Sequence, residues 1–103
     1  MKELIEDFMD HISVERGLAK NTVLAYRHDL DVYVKFLDKK KIKVIDNVLR
    51  KNVTDFMFDQ KKAGLSAKSI GRELAAIKMF HRFLVRENLS KEDPTDLVET
   101  PKI

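Results

Sequence analysis

The 103-residue chain has a formal net charge of +3, with 44% hydrophobic and 36% charged residues, 3 glycines, 2 prolines and no cysteine. That balance describes one globular domain with a single core rather than a disordered chain, and the lack of cysteine excludes a disulfide framework, a thiol nucleophile and a thiolate metal site. No apolar run approaches the ~20 residues of a membrane span, and the acidic, amphipathic start is unlike a signal peptide, so a cytoplasmic protein is expected.

The scarcity of glycine and proline, against many helix formers, predicts an all-α fold. Leu4, Ile5, Phe8, Met9 and Ile12 recur at helical spacing and predict a first helix over Lys2–Arg16. Gly17 stands where a helix-ending glycine belongs. A second helix over Asn21–Lys39 buries Val23, Tyr26, Leu30, Tyr33, Val34 and Leu37, with a cap at Asn21 or just before it. Its start, Lys20-Asn21-Thr22, reads either as a routine cap or as a place for a phosphate on free backbone N–H groups. Arg27 lies on the flank of this helix. Asp38 to Lys43 holds four lysines in six residues and reads as a solvated loop. Ile42, Val44 and Val48 anchor the connection that follows. A third helix over Arg50–Ala63 turns Val53, Phe56, Met57 and Gln60 inward and points Phe58 elsewhere, toward a crevice.

The fourth helix organises the rest. It begins at Ser66, with Ser69 three residues on, and stops at Asn88. At roughly 100° per residue, Ile70, Leu74, Ile77, Phe80, His81 and Leu84 share one face. Lys68, Arg72, Arg82 and Arg86 fall opposite, with only Gly71, Ala75 and Met79 between them. A solvated helix face usually mixes both signs; this one carries no acid. After it, Ser90 to Leu97 forms a loop, and Leu97 and Val98 start a turn that docks.

Charge is segregated along the chain. Residues 1–16 are net −3, 17–43 net +4, 44–63 net +1, 64–88 net +3 and 89–103 net −2. Such a distribution suits a domain with one face toward a polyanion. The major groove admits a helix, and lysine and arginine contact phosphates and guanine. The bland alternative is a solvated face that happens to lack acids. Catalytic chemistry is not visible: no histidine pair has metal-ligand spacing, no phosphate loop or nucleophile elbow is present, and no carboxylate stands in an apolar context that would raise its pKa. No catalytic residue, metal site or cofactor is assigned.

Two strings, GLAKNTVLAYRHDLDVYVKFL (17–37) and GLSAKSIGRELAAIKMFHRFLVREN (64–88), followed by DPTDLVETPKI (93–103), resemble the N-terminal core-binding domain of tyrosine site-specific recombinases, the phage-integrase family, and most closely its Xer branch. The resemblance implies a four-helix SAM-like orthogonal bundle that forms one jaw of a clamp on duplex DNA. The second and fourth helices would approach the major groove of a recombination half-site. It also implies a C-terminal catalytic domain carrying the tyrosine nucleophile. That domain is absent from this chain, so the chain itself is expected to do no catalysis. Tyr26 and Tyr33 match core positions. The core-binding domain would occupy 1–98, and 99–103 would begin the linker. DNA-facing positions carried over by the motif are Lys20, Asn21, Thr22, Arg27, Ser66, Lys68, Ser69, Arg72 and Lys78; Arg82 and Arg86 extend the stripe by geometry. Expected partners are double-stranded DNA and, in a full-length protein, sister recombinase protomers, with this fragment monomeric. The family often has Thr or Ser before the third helix, where this chain has Leu49. A helical protein-interaction module, using the acidic first helix, is the alternative.

Overall fold

The computed structural model describes residues 1–14 and 17–99. Four helices, α1 (Lys2–Val14), α2 (Lys20–Lys39), α3 (Arg50–Lys62) and α4 (Ala67–Arg86), are joined with one 3-10 turn at Ile45–Asn47. No strand occurs among the described residues. The molecule measures 34 × 30 × 23 Å.

Helix ends follow local chemistry. Gly64 (φ +96°) and Asn88 (φ 60°) close α3 and α4 in the left-handed conformation, as their residue types anticipate. At each, the next residue bonds back to a carbonyl of the last turn: Leu65 N–H to Gln60 O at 3.2 Å, and Leu89 N–H to Leu84 O at 2.8 Å. Lys41 (φ 62°) ends α2 in the same way, with Ile42 N–H on Leu37 O at 2.9 Å. Leu49 leaves α3 without a side-chain cap from that position, and Asn52 compensates by accepting from the Leu49 N–H at 2.8 Å. α2 begins earlier than expected. Its cap is Ala19, which offers no side-chain oxygen, so Asn21 lies inside the first turn. The expected end of the first helix at Glu15 and Arg16 falls outside the described residues, as do residues 100–103 of the expected linker.

The core joins stripes from all four helices. Phe8 of α1 meets Phe80 and Phe83 of α4, with ring centroids 5.7 and 5.6 Å apart. Phe56 of α3 meets Tyr33 and Phe36 of α2, at 5.3 Å each. Two polar contacts set how α2 and α4 lie: Asp29 to Arg72, and Tyr33 to His81. They advance in the same sense, four residues on α2 against nine on α4. The two helices therefore point the same way without being in step along their length. Short loops favour antiparallel neighbours, and that arrangement fits α1 with α2 and α3 with α4, where Glu6–Arg27 and Gln60–Glu73 face each other across the turns.

Some inward assignments change. Ile45 and Val48 anchor the connection before α3, while Val44 is exposed. Phe36, Ala76 and Phe83 join the core, and Met79, expected on the outer face, packs partly against it. Val98 docks but Leu97 remains 72% exposed. Phe58 does face a crevice, a cleft of about 310 Å³ shared with Met57, Leu65 and Ile70.

Candidate nucleic-acid interface

The start of α4 forms because Ser66 stays extended and its Oγ accepts the Ser69 N–H at 3.1 Å. The Ser66 hydroxyl also donates to Ser69 Oγ at 3.2 Å. Both serines are thus engaged in the cap. Beyond them the apolar stripe sinks into the core and turns Lys68, Arg72, Ala75, Arg82 and Arg86 outward, with Lys78 half-buried. The face is cationic, and the small Ala75 keeps it low between the charges.

The candidate residues differ in what holds them. Lys20 and Asn21 are exposed and Thr22 is half-buried at the start of α2, where no side chain caps the free N–H groups. Arg27 is taken by α1: its Nη1 and Nη2 donate to the two Glu6 oxygens at 2.6 and 2.9 Å. That bond keeps the Glu6 carboxyl below its usual range and raises the guanidinium. Arg86 donates to His11 Nε2 at 2.9 Å and lies over the Phe83 ring, 5.9 Å from its centroid. Lys68, Lys78 and Arg82 have no acidic partner within ion-pair distance among the described residues.

Arg72 is the exception on the face. Its Nε and Nη2 donate to Asp29 Oδ2 and Oδ1, both at 2.9 Å. The Asp29 side chain is 1% exposed and that of Arg72 is 47% exposed. The hydrogen bond to Asp29, and then its charge, raise the guanidinium above its usual pKa. Beside this pair Glu73 is buried, with Oε2 accepting from Gln60 Nε2 at 2.7 Å and Oε1 without a partner among the described residues. Burial pushes the Glu73 carboxyl up. This corrects the expectation that no carboxylate has a raised pKa. The helical wheel places Glu73 toward the core, yet periodicity offered no partner for it; the partner sits on α3. Asp29 was missed for a related reason. Its sequence neighbours are mixed, and only the packing of α2 against α4 brings Arg72 to it.

That pair also changes what a simple truncation reports. An exposed Arg72 would be removable with little effect on folding. Here Arg72→Ala strands a buried carboxylate, and the expected cost is about 1–3 kcal/mol. At ~4–8 °C per kcal/mol for a domain of this size, a thermal melt should fall by roughly 5–20 °C. A shift near zero would mean that Asp29 finds water as readily as it found arginine.

All-α, four-helix and SAM-like is the class that this architecture defines. The chain matches the model of the phage integrase N-terminal SAM-like domain over residues 5–88. It belongs to that family. The tyrosine recombinase XerD of Staphylococcus haemolyticus is 40% identical over 102 residues, covering 99% of this chain and 35% of the relative. XerD of Staphylococcus saprophyticus subsp. saprophyticus is 41% identical with the same coverage. The chain therefore spans about a third of the length of these relatives. The crystal structure of the N-terminal domain of a phage integrase/site-specific recombinase from Haloarcula marismortui shares the fold, with a TM-score of 0.87 at 16% identity over 97% of this chain and 94% of that one. No helix among the described residues is long and apolar enough to cross a membrane.

Proposed function

We propose that this chain is the DNA-gripping domain of a tyrosine recombinase of the Xer type, acting in the cytoplasm in site-specific recombination. Residues 1–98 form the gripping unit, and 99–103 lead toward a catalytic domain. The observation that carries this reading is the acid-free cationic face of α4. In it, α4 enters the major groove and the start of α2 meets the phosphate backbone. The chain supplies binding and orientation; strand cleavage belongs to a catalytic tyrosine elsewhere in the full-length protein, where sister protomers assemble on the paired half-sites.

Charge neutralisation sets the expected affinity. Of the candidate cations, Arg27 and Arg72 are balanced by Glu6 and Asp29, leaving Lys20, Lys68, Lys78, Arg82 and Arg86. With about five phosphates neutralised, log K for a random duplex should fall with log salt at a slope near −4 to −5. Fluorescence anisotropy across a salt series measures this directly. Lys68→Ala should reduce the slope by about 1 and leave stability within ~0.5 kcal/mol. Salt-independent binding, or none at low salt, would sink the proposal in favour of a protein-interaction module.

A further inference from the structure

We infer that Asp29 is a positioning residue that presets Arg72 to read a guanine edge, not a phosphate. This rests on the DNA-binding reading above and specifies one contact within it. Asp29 occupies the side edge of the guanidinium, Nε and Nη2. The end-on edge, which presents one N–H from each Nη atom, is not used by that carboxylate. Two parallel donors of that kind match the O6 and N7 acceptors of guanine in the major groove.

The charge balance separates base from backbone. A phosphate contact gains most of its strength when a net cation displaces counterions condensed on the DNA. The Arg72–Asp29 pair is neutral as a unit, so that gain is largely cancelled. Directional hydrogen bonding survives, because the guanidinium stays planar and both of its bonds to Asp29 hold it in one orientation. Burial of Asp29 fixes its side of the fork in α2, while half of the Arg72 side chain reaches solvent on the face of α4. Glu73 does not compete for the fork: it is turned to Gln60 and buried. On the same face Lys68 and Arg82 lack acidic partners among the described residues and are suited to phosphates. The face thus sets one fork fixed by a buried carboxylate beside cations without an acidic partner, which is the division between specifying and positioning contacts.

The experiment uses this chain with short duplexes carrying a randomised core, selected and sequenced at low salt, and salt titrations on a random duplex. The wild type should prefer guanine at one position. Arg72→Lys retains the charge and an ion pair with Asp29 but removes the fork; preference at that position alone should drop by about 5- to 150-fold, the value of one bidentate arginine–guanine pair. Asp29→Asn keeps the shape and releases the charge; guanine preference should fall while the salt slope steepens by about 1. A pair with only a structural role would alter melting temperature in both variants and leave base preference and slope unchanged, which overturns the inference. So does a wild-type chain that binds duplex with no guanine preference. Absence of any duplex binding overturns the DNA-binding reading and this contact with it. Melts accompany each variant. Should either single variant be unfolded at the assay temperature, Asp29→Asn combined with Arg72→Gln, which leaves no buried charge, must lose the preference for the inference to stand.

Discussion

Leu74→Ala should cost about 2–5 kcal/mol of folding stability. Leu74 is fully buried on α4, on the side of the helix away from the cationic face. Shortening it removes transfer energy and leaves a cavity where α4 meets the other helices, and close-packed interiors refill such space only partly. Against a typical total of ~5–15 kcal/mol, the change takes a large share. Urea denaturation should show a lower midpoint with an unchanged slope, the sign of lost stability without a changed unfolded state. The same variant should bind duplex normally at temperatures where it is folded, because no group on the outer face moves. Loss of binding in a folded Leu74→Ala chain would mean that the core and the face are coupled more tightly than the packing suggests.

Acid should destabilise the fold through His81. Its ring is fully buried, Nε2 lies 2.9 Å from the Tyr33 hydroxyl, and Nδ1 has no partner among the described residues. Burial lowers its pKa from 6.5 to about 4, with the charge of Asp93 acting the other way to a smaller extent. The unfolded histidine takes up its proton near pH 6.5, whereas the folded one resists until about pH 4. Between those values the unfolded state binds more protons, so stability falls as pH drops and the loss levels off below the folded pKa. The full difference corresponds to about 3 kcal/mol. Glu73 works in the opposite direction near the acid end, since its raised pKa makes the folded state the better proton binder there. Stability measured by urea melts from pH 7 to 4 should therefore fall most clearly between pH 6.5 and 5 in the wild type. His81→Leu should flatten that segment whatever its own baseline, because the titrating group is gone. An unchanged slope in the variant would assign the acid loss elsewhere.

Much of this molecule was legible from residue types. The helix ends at Gly64 and Asn88, the cap at Ser66, and the apolar faces of α1 and α4 depend on contacts within a few residues, so local chemistry decides them. His81 was correctly placed in the core because its position on the α4 wheel leaves no other choice. Phe58 was correctly turned away from the core on the same reasoning. Where the reading failed, a distant partner decided. Met79 lies within the outer stripe, and only the packing of neighbouring helices shows that it is partly covered. Val44 and Ile45 are adjacent and similar, and the 3-10 turn, not hydrophobicity, determines that Ile45 is the one buried.

The candidate face divides in the same way. Sequence alone determined that α4 carries its cations opposite its apolar stripe with no acid among them, because helical periodicity is a property of a single segment. It also determined the family, through residues spread over the whole chain in order. What only the tertiary structure decided is which of the candidate cations on α2 and α4 still carry an unbalanced charge. Arg27 is balanced by Glu6 of α1, and Arg72 by Asp29 of α2. Those partners lie 21 and 43 residues away in the chain. Electrostatic pairing acts over a few ångströms of space, and distance in space is set by how the helices pack, which no single helix encodes.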